Sequence, residues 1–204
     1  MDRRQQVLHD EKWIKFMGRS WPFRLAPFVD FAVAAGSMAM GNVRPESDFD
    51  VIVGARSGRI FTARFFSVLI FGLLGWRRKK ISHKTAAADK ICLNHFITPG
   101  SYELQPPRGK YWETLYSKLV PIWGSDEKIS EFFAANKWSG VSYQDDLRHS
   151  RKHAFGPKRF LEKILGGRIG NLLEMILRKI QVARIEKNLK TELGYEPRIK
   201  YSND

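Results

Sequence analysis

The chain has 204 residues, of which 43% are hydrophobic, and sets 35 lysines and arginines against 21 acids for a formal charge of +14. This length fits one ordinary domain, or a core with a helical extension, and the apolar fraction excludes a disordered polymer. A single cysteine, Cys92, excludes an intramolecular disulfide and any multi-cysteine zinc site, and the charge balance favours a polyanionic partner, either nucleic acid or an anionic membrane surface.

The N-terminus is charged and lacks an apolar signal segment, which with the cysteine count predicts a cytoplasmic protein. Residues 2–17 have the spacing of an amphipathic helix, with Val7, Leu8, Trp13, Ile14 and Met17 available for its inner face. Ser20-Trp21-Pro22 ends it. Phe31 to Ala35 is a small apolar strand, followed at once by Gly36-Ser37, a short helix from Met38 that Gly41 and Pro45 cannot extend, and then Ser47-Asp48-Phe49-Asp50 running into Val51-Ile52-Val53.

Side chains alternate across a strand, so Asp48 and Asp50 share one face while Phe49, Val51 and Val53 take the other. Two carboxylates at a sheet end repel each other unless a cation lies between them. Mg²⁺ is typically held by one or two carboxylates together with substrate phosphates. Gly36 and Ser37 would form the phosphate end, with backbone amides open to an anion and a hydroxyl to donate.

A strand, Gly-Ser, a short helix and Asp-x-Asp on the next strand together resemble the active-site signature of the polymerase-β-like nucleotidyltransferase superfamily. The resemblance implies a mixed α+β fold, with a small mixed sheet flanked by helices and a helical C-terminal extension. It implies transfer of a nucleoside monophosphate from a nucleoside triphosphate to an acceptor hydroxyl, with Mg²⁺ or Mn²⁺ on Asp48 and Asp50. Gly36, Ser37 and Ser47 would serve the nucleotide phosphates, and Arg44 and Arg64 are candidates by charge and proximity. The acceptor is left open; the charge favours RNA or a protein with an acidic surface.

One departure matters chemically. The third strand of the resembled family carries a further carboxylate, and in Lys90 to Thr98 that position falls on Cys92, with Asn94 next on the same face and His95 opposite. Asp89 or Glu103 could substitute, the two acids could act alone, or the chain could be a nucleotide- or RNA-binding module without turnover.

The remaining elements follow by pattern. Phe65 to Trp76 is strongly apolar but shorter than the roughly 20 residues of a membrane span; it reads as a core helix from about Ile60, its end favoured by Arg77 to Lys80, with a membrane-surface helix as the alternative. Residues 81–89 read as a loop. A fourth strand is expected through Tyr102 and Leu104, then a helix over 110–120 with Trp112, Leu115 and Leu119 on one side. A helix capped by Ser125 should bury Ile129, Phe132 and Phe133 and end near Asn136. Basic residues cluster from Arg148 to Arg159. Pro157 opens a helix that Gly166-Gly167 interrupts, and 169–189 forms a second with Ile169, Leu172, Leu173, Ile176, Ile180 and Ala183 in helical period. The chain thus divides into a helical segment at 1–28, a nucleotidyltransferase-type core at 29–122 and a basic helical region at 123–204. Residues 197–204 begin like a strand and stop, as in a truncated frame.

Overall fold

The computed structural model describes residues 2–79, 87–140 and 156–193, with side chains as far as Lys187. The basic cluster at 148–153, most of the loop at 81–89 and the final segment at 197–204 lie outside the described residues.

Helix α1 (Arg3–Ser20) starts on Asp2, whose carboxylate accepts the Gln5 N–H at 2.8 Å, and gives way to a 3₁₀ turn at Trp21–Arg24. Its inner face is Lys12, Trp13, Phe16 and Ser20, while Val7 and Ile14 point to solvent. Those two are seven residues apart and so share a face, but that face lies beside the Trp13–Phe16 stripe and misses the core. Trp13, Phe16 and Phe49 stack in sequence, at 5.6 and 4.7 Å between ring centres, and fasten α1 to the sheet.

The fold is a mixed α+β structure, as the sequence predicts. Strands β1 (Val29–Ala34), β2 (Phe49–Ala55), β3 (Ile91–Ile97) and β4 (Val120–Gly124) form one sheet in the order β3-β2-β1-β4. β1 runs antiparallel to β2 and β4, and β2 runs parallel to β3. Between them lie α2 (Gly36–Met40), α3 (Ile60–Leu73) and α4 (Lys110–Tyr116); α5 (Asp126–Ala135), α6 (Gly156–Leu165) and α7 (Arg168–Leu193) follow.

The expected fourth strand through Tyr102 and Leu104 is not one: it is a 3₁₀ turn at Pro99–Ser101 and a loop. The fourth strand is instead Val120–Gly124, past the expected helix, which ends at Tyr116. β4 lies on the sheet edge, so Pro121, opposite Val33, has no second neighbour that its missing N–H would deprive.

Alternation along the strands builds a core on each side of the sheet. Ala32, Ala34, Phe49, Val51 and Val53 pack under α1 and α3; Phe31, Val33 and Ile52 pack under α4 and α5 with Leu115, Ile129 and Phe132. Phe31 is accommodated because its cross-strand partner is Gly54, where a Cβ would fall 2.1 Å from the ring. α5 buries Ile129, Phe132 and Phe133 as expected, and Asn136 closes it: its amide donates to the Tyr102 and Phe132 carbonyls and accepts from Leu104 N–H and Trp138 Nε1.

The apolar α3 is only half a core helix. Ser67 and Phe71 are buried, whereas Phe65, Leu69, Leu73 and Leu74 reach the surface. Among the described residues no helix is long and apolar enough to cross a membrane.

Candidate active site

Asp48 ends the loop before β2, and Asp50 is its second residue, on the face that Ile52 presents to α4. The loop is held from behind by α1. The buried Lys12 ammonium donates to the Pro45 carbonyl at 2.6 Å and the Ser47 carbonyl at 2.9 Å, and pairs with Asp89 at 2.8 Å. Ser47 Oγ accepts the Arg44 N–H at 3.0 Å, so its hydroxyl shapes the turn, while the Arg44 side chain is exposed.

Gly36 begins α2 with φ of 58°, directly against Asp50: a Cβ there would lie 2.1 Å from Asp50 Oδ2. The Ala35 N–H also donates to the Asp50 carbonyl at 3.0 Å. A glycine is therefore required at this position for two reasons, conformation and space. Ser37 stands one residue further along, half-buried.

Asp48, Asp50 and Cys92 bring one ligand atom each within 4.8 Å of one another. Asp50 and Cys92 are partners across the parallel β2–β3 pair, so a thiol stands beside the two carboxylates. Burial, then the Asp48 charge, push the Asp50 carboxyl above the usual range, with the Cys92 hydrogen bond opposing them. Burial and the two carboxylates push the Cys92 thiol up to about 12, so at neutral pH it carries its proton and cannot serve as the base a third aspartate would be. Asn94 Nδ2 donates to its sulfur at 3.2 Å.

Neither substitute acid reaches the group. Burial pushes the Asp89 carboxyl up, but Lys12 and Lys15 beside it outweigh that and hold it below its ordinary range. Glu103 pairs with Arg108 at 2.5 Å. Arg64 donates to Gln181 on α7 at 3.2 Å.

Four residues join the site that the sequence pattern places elsewhere or leaves unassigned. By sequence Arg78 is a charge at a helix end, but the chain turns back after α3, and its Nη1 donates to Asp48 Oδ2 at 2.5 Å. His95 was expected on the opposite face from Cys92. The register pairs Asp50 with Cys92 but Ile52 with His95, so β3 carries one extra residue there, and the bulge returns His95 to the site face. It lines a cleft of about 190 Å³ with Gly36, Asp50, Cys92 and, from α4, Tyr111 and Trp112. Burial lowers the His95 pKa, which keeps the imidazole neutral at neutral pH. Tyr111 and Trp112 are 57% and 37% exposed, two adjacent aromatic rings at the cleft and not in the core. Exposure of aromatics is invisible to periodicity, and a bulge leaves no mark in an apolar strand.

The chain matches no protein-family model, no curated protein and no solved structure. Two crowded carboxylate oxygens, one with a raised pKa, fit a hard divalent cation that keeps further positions for phosphate oxygens. The protonated thiol is a soft donor and adds nothing for Mg²⁺.

Proposed function

We propose that this chain is a nucleotidyltransferase of the polymerase-β-like type, moving a nucleoside monophosphate from a nucleoside triphosphate to an acceptor hydroxyl. The observation that carries this reading is the convergence of Asp48 and Asp50 on Gly36, at the mouth of a cleft walled by two aromatic rings. Mg²⁺ on the two carboxylates would supply charge neutralisation for the phosphates. Asp48 and Asp50 would hold that ion, and Arg78, already beside Asp48, can turn its guanidinium to phosphate oxygens. Tyr111 and Trp112 offer ring faces to a nucleobase. The acceptor oxygen attacks the α-phosphorus, the bond to the bridging oxygen breaks, and pyrophosphate leaves with the electron pair. Neutral His95, in the same cleft, is the group available for the acceptor's proton, replacing the absent third acid. RNA and acidic protein surfaces are the acceptors that the +14 charge favours.

A second reading is a nucleotide-binding module without turnover, favoured by Cys92 at the third position and by the Arg78 clamp on Asp48. The experiment that separates them is incubation with each labelled nucleoside triphosphate, Mg²⁺ or Mn²⁺, and cellular RNA or protein. Label on one acceptor class, lost in the Asp48→Ala/Asp50→Ala variant, is the outcome expected. Metal-dependent nucleotide binding with no label supports the module, and the absence of both label and binding sinks both readings.

A further inference from the structure

Of the apolar stripe that the helical period finds in α7, Leu173 packs against the core and most of the rest turns away from it. Ile169, Leu172, Ile176 and Ile180 are 68%, 54%, 44% and 59% exposed, on successive turns of one face. α7 packs on α3 through other positions: Glu174, buried Leu177, and Gln181, whose side-chain amide donates to the Phe61 carbonyl at 2.8 Å. α6 repeats the pattern, with Lys158 and Leu165 inward and Phe160 and Ile164 outward at 65% and 45% exposure. Scattered exposed aliphatics are ordinary; a continuous stripe over three turns, repeated on the preceding helix, marks an interaction surface.

Charge selects the partner. On α6, and on α7 as far as Lys187, the carboxylates are Glu162, Glu174 and Glu186. Glu162 accepts the Phe28 N–H and Glu174 the Phe61 and Thr62 N–H groups, each at 2.8 Å, so both turn inward, and Glu186 is half-buried. Arg159, Lys163, Arg168, Lys179 and Arg184 are exposed. The acids are therefore spent inside and the bases presented outside. A second copy of a +14 chain would meet the same basic face and be repelled. RNA would be attracted by the bases but gains nothing from an aliphatic stripe, since its bases stack on aromatic or guanidinium planes.

An anionic bilayer uses both features. Aliphatic side chains enter the boundary between headgroups and acyl chains while lysines and arginines meet the phosphates. We propose that the outward faces of α6 and α7 dock on anionic phospholipid membranes, with the 26-residue α7 lying in the plane of the interface. The attachment is peripheral, in keeping with the lack of a spanning helix among the described residues.

The test is co-sedimentation of the full chain with vesicles of phosphatidylcholine alone or with phosphatidylglycerol added, at low and high salt. Binding to anionic vesicles should be about tenfold or more tighter than to neutral ones and should weaken with salt. Leu172→Gln/Ile176→Gln/Ile180→Gln and, separately, Arg168→Glu/Lys179→Glu should each lower it by about tenfold or more. All five positions are exposed, and unchanged circular dichroism checks the fold. Failure to sediment with anionic vesicles overturns the proposal. So does binding that the triple glutamine variant leaves unchanged, a solution dimer that this variant dissociates, or RNA capture sensitive to both variants without vesicle binding.

Discussion

Gly36 is the residue on which the site turns, because Asp50 occupies the space where any other residue would have a Cβ. Gly36→Ala places a methyl group on a carboxylate oxygen and forces an L side chain to a φ of 58°. The expected result is displacement of Asp50, loss of Mn²⁺ binding in a calorimetric titration, and a stability drop on the order of 1–2 kcal/mol in urea. Retained Mn²⁺ affinity would mean that Asp50 is not a ligand. The Gly-Ser and Asp-x-Asp pair was legible in the sequence because each contributes a short-range requirement: a glycine after a strand, and two acids at the same parity of the next. Arg78 and His95 were not. One arrives by a chain reversal after α3 and the other by a β3 bulge, both set by packing over long separations.

At the scale of elements, α3 has no capping side chain of its own, since Arg59 at its N-cap makes no such bond. Glu174 supplies the cap from α7, accepting from Phe61 N, Thr62 N and Thr62 Oγ1. A carboxylate at a helix N-terminus also suits the dipole. Glu174→Ala leaves these donors unmatched in a half-buried place and should cost about 1–3 kcal/mol, with hydrogen exchange in the first turn of α3 rising more than in β1 or β2. A uniform loss of protection across the sheet would instead show that α7 is part of the central folding unit. No local signal announces this cap, because donor and acceptor stand more than a hundred residues apart.

For the whole molecule, the most consequential buried charge is Lys158. Its ammonium sits over the Trp123 ring at 4.5 Å, donates to the Val29 carbonyl, and lies 3.8 Å from Glu162. Burial outweighs Glu162 and Asp30 and pushes its pKa down to about 8, from an ordinary 10.5. Between these values the unfolded chain holds a proton that the folded chain has lost, so the contribution of Lys158 to stability rises with pH across that window. Below about 8 both states are charged and the burial penalty stands in full. The shift corresponds to roughly 3 kcal/mol. Urea unfolding of the native chain and of Lys158→Met at the two ends of the window should show the native chain gaining by up to that amount relative to the variant. A difference independent of pH would place the folded lysine pKa near its ordinary value. Cys92 acts in the opposite sense, losing its proton first in the unfolded chain, and cancels in this comparison.

What the sequence determined alone is local: strand alternation, helix breaks at glycine and proline, and the short spacing that places two acids beside a Gly-Ser turn. These follow from backbone sterics and from side-chain periods that hold within a few residues. The tertiary structure decided the rest. It put Val120–Gly124 on a sheet edge where Pro121 is tolerated, and it brought Arg78 and His95 to the carboxylates. It also turned Ile169, Leu172, Ile176 and Ile180 of α7 outward while Leu173 met the core. A period shows that residues share a face, but which face meets the core depends on surfaces supplied by other elements, and α3 offers α7 its partners at Glu174 and Gln181, not at Leu172 and Ile176.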